Sequence, residues 1–154
     1  MAEDMFILSL NNNDKIRLIT APEYITGLVG EVISRYQSTF VFSIRKEVRS
    51  KCENNTQCFT RNWDQGIQRE GNYCGSHEFK LSGNPWWASG EETVMSRYLV
   101  GSILSELKGA GWEVGATLDV SRKMQDKTVF IMKQCPPSRQ DWAVIGFHET
   151  DKVR

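Results

Sequence analysis

The sequence predicts an α+β domain, in which a mostly antiparallel sheet packs against two helices on one face. Short segments with alternating apolar residues predict strands, and two longer segments with apolar residues at helical spacing predict helices. The predicted order is β-β-α-β-loop-β-α-β-β-β. Strands therefore follow one another in hairpin-like sets, which differs from the strand–helix alternation of a parallel sheet.

The composition is that of one globular domain spanning residues 1–154, with 40% hydrophobic and 25% charged residues. Nineteen basic residues balance nineteen acidic ones, so no overall field attracts nucleic acid or an anionic membrane. The chain opens without a signal-peptide pattern and holds no apolar run long enough to span a membrane. We expect a cytoplasmic or nuclear protein with reduced cysteines, no membrane association and no cofactor.

The first third of the chain predicts a β-hairpin, a helix and a strand. Apolar alternation on both sides of an Asn-rich turn predicts the hairpin over residues 6–18. Thr20 and Glu23 have the spacing of a capping box, and the stripe from Ile25 to Tyr36 predicts the buried side of the first helix. Alternation from Thr39 to Ile44 predicts the next strand.

Residues 46–72 are polar and lack a sustained period, which predicts a long loop with one short strand near Gly66 to Arg69. Loops of more than about 15 residues are uncommon in compact domains and are often functional. Alternation at His77, Phe79 and Leu81 then predicts a further strand.

The second helix has the clearest pattern. Ser89 and Glu92 predict its start, and Gly109 or Gly111 its end. The predicted buried stripe consists of Val94, Met95, Tyr98, Leu99, Ile103, Leu107 and Ala110.

Two strands and a tail follow. Alternation in "WEVGATL" predicts a strand with Trp112, Val114, Ala116 and Leu118 on one covered face. Residues 128–132 predict a central strand, which Cys135-Pro136-Pro137 ends. The tail resembles the opening hairpin, since Asp151, Lys152 and Arg154 match Asp14, Lys15 and Arg17. Residues 142–154 are therefore either the start of a second repeat or a chance similarity.

A metal site is a weak hypothesis. Cys52, Cys58, Cys74 and His77 offer four suitable ligands, but five residues separate the first two, wider than the roughly two to four of structural zinc sites. We therefore expect ordinary free cysteines and a core histidine. No nucleophile–base pair or phosphate-binding loop stands out, so we assign no catalytic residue.

Basic residues form two sets in predicted loops. Arg45, Lys46 and Arg49 belong to the first, and Arg122, Lys123 and Lys127 to the second. If both lie on one side, stacking by Trp63, Trp86 or Tyr73 would complete a surface for single-stranded RNA. The alternative is solvated loops, which the zero net charge favours.

Two adjacent tryptophans occur in "GNPWWASGEE", between a turn and a helix start. Neighbouring residues of an extended segment point to opposite sides, so we expect one indole in the core and one exposed. Trp86, Trp87 and Trp63 are the candidate partner-binding residues, because tryptophan is enriched in binding hot spots.

Part of the chain resembles eukaryotic proteins of unassigned activity. The likeness rests on "GIQREGNYCGSHEFKLSGNPWWASGEE", on "GWEV" with "DVSRKMQDKTVF", and on the "DKIRLI" hairpin. The resemblance implies a shared domain and brings no catalytic residue, cofactor or partner with it.

The leading hypothesis is a non-catalytic intracellular module that binds another protein through Trp86 and Trp87. One alternative is an enzyme or small-ligand-binding protein with a pocket near residues 46–72 and Asp119. A further alternative is RNA binding through the basic loops.

Overall fold

The computed structural model describes residues 5–34, 66–89, 91–119, 126–139, 147–148 and 152–153. Two helices are present in these ranges, α1 over residues 23–34 and α2 over Glu91–Gly109, and a short 3-10 turn at Pro85–Trp87 precedes α2. The strands are β1 (Met5–Asn11), β2 (Lys15–Ile19), β3 (Ile67–Tyr73), β4 (Ser76–Leu81), β5 (Trp112–Leu118), β6 (Asp126–Gln134), β7 (Phe147–His148) and β8 (Lys152–Val153).

Six of the described strands form one antiparallel sheet in the order β3-β4-β2-β1-β6-β5. Strands β7 and β8 pair with each other. The predicted α+β class with a mostly antiparallel sheet is confirmed, as is the interior position of β6. No helix in the described part of the chain is long and apolar enough to cross a membrane.

Both helices pack on the same side of the sheet, as predicted. The side chains of Ile25, Val29, Val32 and Ile33 from α1 and of Leu99, Ile103 and Leu107 from α2 join one buried cluster. Its other members come from the strands, namely Phe6, Leu8, Leu10, Ile16, Leu18, Phe79, Leu81, Trp112 and Met132. Alternation in the strands therefore supplies one apolar face, and the helical stripes cover it.

Trp112 links three elements at one edge of this core. Its side chain is 1% exposed, and its ring meets Phe6 edge to face with the centroids 4.8 Å apart. Its indole N–H donates to the Tyr24 hydroxyl at 2.8 Å. Gly111 allows the sharp approach from α2, because its φ is +89° and an added Cβ would lie 3.1 Å from the Cys135 carbonyl oxygen.

Two details of the predicted helices are wrong. Thr20 does not cap α1: it has φ +57°, its hydroxyl donates to the Ile19 carbonyl, and the helix begins three residues later. Val94 and Tyr98 are exposed rather than buried. A helix turns about 100° per residue, so these two side chains lie about 140° and 100° around α2 from the buried Leu99.

Strand β5 departs from simple alternation. Trp112 and Val114 face the core, but a register shift between Val114 and Ala116 marks a bulge. One extra residue moves all later side chains to the opposite face. Ala116 and Leu118 therefore lie on the face away from the helices, which corrects their predicted burial.

The segment predicted as a long loop ends earlier than expected. Strand β3 begins at Ile67 and continues to Tyr73, beyond the short strand predicted near Gly66 to Arg69. The strand predicted from Thr39 to Ile44 lies outside the described residues, as does most of the tail over 142–154.

Candidate functional site

The tryptophan corner, defined here as Pro85–Trp87, is attached to the β1–β2 turn. The Trp86 backbone amide donates to the Asn13 carbonyl at 2.9 Å, and its indole N–H donates to the Lys15 carbonyl at 3.0 Å. Trp86 packs against the core, whereas the Trp87 side chain is 55% exposed. The prediction of one inward and one outward indole is confirmed.

The reason for that division differs from the predicted one. The segment is a 3-10 turn rather than an extended strand, and such a turn rotates by about 120° per residue. Buried Pro85 and the 3.0 Å bond from the Trp87 amide to the Asn84 carbonyl complete the turn. The backbone that presents Trp87 is therefore fixed.

Two further exposed apolar side chains lie on α2, the helix that packs against the tryptophan corner. The 3-10 turn packs against α2, and the Thr93 hydroxyl donates to the Ala88 carbonyl at 3.1 Å. Val94 and Tyr98, one helical turn apart in the N-terminal half of α2, are both exposed. We call Trp87, Val94 and Tyr98 the aromatic surface. The helical pattern of the sequence predicts Val94 and Tyr98 in the core. The sequence analysis therefore did not place these two residues in the aromatic surface.

A second group of side chains lies on the sheet face away from the helices. Glu78 of β4 accepts from Arg17 at 2.8 Å and pairs with Lys15 at 3.3 Å and with Arg69 at 3.5 Å. The Arg17 guanidinium also lies 4.4 Å from the Tyr73 ring centroid. We call these five residues the cation cluster. The polar residues of "DKIRLI" and "SHEFKL" indicate the cation cluster only when the pairing of β2 with β4 is known.

The Glu78 carboxylate is 5% exposed, and its surroundings set its pKa. Burial raises the pKa, but the hydrogen bonds and charges of Arg17 and Lys15 together outweigh burial and lower it below the ordinary 4.5. A lowered folded-state pKa means that ionised Glu78 stabilises the fold fully above about pH 4.5 and loses this effect as pH falls through the folded value.

We therefore expect a steeper acid loss of stability in the wild-type protein than in Glu78→Gln. As the pH falls below about 4.5, the wild-type free energy of unfolding should decrease because Glu78 takes up a proton, whereas the amide of the variant does not titrate. Urea unfolding at several pH values measures both slopes. Parallel curves for the two proteins would contradict the role assigned to this carboxylate.

An open groove of about 640 Å³ separates α1 from β3. Gly27, Gly30 and Glu31 line one side, and Ile67 and Glu70 the other. Asp119 follows β5, at the opposite edge of the sheet from β3. Within the described ranges, the structure thus does not bring Asp119 and the 66–72 segment to a common pocket.

Of the four potential metal ligands, the structure describes two, His77 and Cys74. His77 Nε2 lies 2.8 Å from Glu70 Oε1, and its ring centroid lies 4.8 Å from that of Phe79. Cys74 is exposed in the β3–β4 turn. No group of three or more metal-binding side chains occurs among the residues that the structure describes.

The remaining predicted site residues lie outside the described ranges or have side chains that the structure does not describe. Cys52, Cys58 and Trp63 lie outside the described ranges, as do the basic residues Arg45, Lys46, Arg49, Arg122 and Lys123. Lys127 belongs to β6, but its side chain is not described.

The fold and these side chains define an α+β domain with an aromatic surface at one end of its sheet. The chain belongs to a protein family of unassigned function, whose model matches residues 41–133. The matched region includes the tryptophan corner, β3, β4, α2 and β5. The chain has no match among curated proteins and none among solved structures.

Proposed function

We propose that this protein is a non-catalytic module that binds another protein through the aromatic surface. The observation that supports the proposal is the 55% exposed indole of Trp87, held beside the partly buried indole of Trp86. Tryptophan and tyrosine are enriched among the residues that dominate binding energy at protein interfaces. Trp87 and Tyr98 supply both types, and Val94 adds apolar area beside Tyr98.

The backbone of the tryptophan corner favours binding because it is already ordered. Two hydrogen bonds hold Trp86 to the β1–β2 hairpin, and the 3-10 turn orients Trp87. Association normally costs free energy for ordering side chains and loops at the interface. A preformed turn avoids much of that cost, so the Trp87 indole can act as an anchor for an apolar cleft on the partner.

The experiment is affinity purification of the wild-type protein and two variants from cells, with quantitative mass spectrometry. Trp87→Ala removes the proposed anchor. Leu118→Ala is the matched control, because Leu118 is also an exposed apolar residue but lies on the edge strand β5. We expect a specific protein to be retained by the wild type and Leu118→Ala and depleted at least about tenfold by Trp87→Ala.

Thermal unfolding of each variant shows whether the fold is intact. Equal recovery of every bound protein by Trp87→Ala and Leu118→Ala, with both variants folded, would refute binding through this surface.

A further inference from the structure

The cation cluster surrounds an open position on the outer face of the sheet. Gly71 of β3 lies opposite Glu78 of β4, between Arg69 and Tyr73 on the same strand. A Cβ added to Gly71 would meet no atom within 4 Å. The side chains of Arg69 and Tyr73 therefore flank a slot over the Gly71 backbone, beside the Glu78 carboxylate and the Arg17 guanidinium.

The charges around this slot are unbalanced. Three cations share Glu78, which in the described part of the chain is the only carboxylate that pairs with any of them. Among the described residues, two positive charges are therefore in excess. Arg69 is 69% exposed, but the Lys15 and Arg17 side chains are only 17% and 22% exposed. Cations withdrawn from water cost free energy unless anions pair with them.

The geometry points to the slot over Gly71 as a binding site for an acidic segment of a protein partner. One carboxylate of that segment occupies the slot and pairs with Arg69 and Arg17, while neighbouring carboxylates lie along β3. The inference rests on the proposed function in one respect, namely that the partner is a protein. It assigns that partner an acidic stretch in addition to the apolar cleft that receives Trp87.

The position of the cluster connects it to the tryptophan corner. The Lys15 ammonium belongs to the cluster, and the Lys15 carbonyl accepts the hydrogen bond from the Trp86 indole. Arg69 and Lys15 both lie in register with Lys80, near the end of the sheet where the corner docks. Lys15 therefore belongs to the cluster through its ammonium and contacts the tryptophan corner through its backbone carbonyl.

Charge and stacking favour an acidic peptide over a single-stranded nucleic acid. Nucleic-acid surfaces combine an extended positive track with aromatic rings on which successive bases stack. Here the whole chain has no net charge, and the cluster contains one aromatic ring, which Arg17 already contacts at 4.4 Å. An excess of two charges suits a short run of carboxylates.

The test is the binding of a fluorescein-labelled oligoglutamate peptide at low salt, followed by fluorescence anisotropy. Arg69→Gln removes one wall of the slot, and we expect it to weaken binding roughly fivefold. Gly71→Glu places a tethered carboxylate in the slot, and we expect it to weaken binding by at least about tenfold while maintaining or raising the melting temperature.

Lys133→Gln is the matched control. Lys133 is also an exposed cation that shares one carboxylate, that of Glu113 at 3.1 Å, but it lies on β6. We expect this variant to bind the peptide within about twofold of the wild type.

Three results would overturn the inference. They are an absence of peptide binding by the wild type, equal losses in Arg69→Gln and Lys133→Gln, and tighter binding of oligouridylate than of oligoglutamate. Trp87→Ala is expected to bind the peptide like the wild type, because the peptide has no apolar anchor. Failure of the acidic site and failure of the aromatic surface are thus distinguished by different variants.

Discussion

Replacing Trp112 by alanine is expected to lower the free energy of unfolding by about 3–5 kcal/mol. The substitution removes a side chain that is 1% exposed and that packs edge to face against Phe6. It also removes the hydrogen bond to the Tyr24 hydroxyl, so that the contact between β5 and α1 is lost together with core volume. Urea unfolding of both proteins under the same conditions measures the difference.

Two conservative variants separate these contributions. Trp112→Phe retains an aromatic ring but lacks the indole N–H and part of the volume, and we expect it to cost about 1–2 kcal/mol. Tyr24→Phe keeps Trp112 in place but leaves its buried N–H without the hydroxyl acceptor, at a similar cost. A loss below about 1 kcal/mol in Trp112→Ala would show that the ring is not part of the core.

The adjacent tryptophans should respond to alanine substitution in opposite ways. Trp86→Ala is expected to cost about 2–3 kcal/mol, because it removes a core-packed ring and its bond to the Lys15 carbonyl. Trp87→Ala is expected to cost less than about 1 kcal/mol, since more than half of its side chain is exposed. Denaturant unfolding of the two variants in parallel provides the comparison.

The same pair of variants tests the division of roles between the two indoles. If Trp87→Ala proved as destabilising as Trp86→Ala, both rings would be structural. The aromatic surface would then lose its proposed anchor.

Local patterns in the sequence predicted the elements that form the core. Alternation in the opening hairpin and in the strand of Phe79 and Leu81 identified the buried face. The helical stripes contained Val29, Leu99 and Ile103, all of which are buried. These predictions succeed because each depends on one segment having a single face turned towards the core.

Features that depend on the pairing of distant strands were not predictable in the same way. The bulge at Gly115 reverses the faces of Ala116 and Leu118, although the sequence alternates without interruption. The cation cluster requires β2, β3 and β4 to be neighbours in a particular register, which no single segment specifies.

Only part of the candidate site was predicted, because its other features depend on how separate elements pack together. The exposed indole of Trp87 was predicted from an extended segment, although the structure has a 3-10 turn there. Val94 and Tyr98 were assigned to the core because apolar residues at helical spacing are predicted to belong to the buried stripe. Which side of α2 faces the sheet depends on how the helix packs, and in the structure Val94 and Tyr98 face outward.

The central claim is that the exposed Trp87 indole anchors a protein partner. Its most direct test is calorimetric titration of the purified partner into the wild type, Trp87→Ala and Leu118→Ala. The account predicts a Kd at least about tenfold weaker for Trp87→Ala and unchanged for Leu118→Ala. Equal Kd values for all three folded proteins would contradict it.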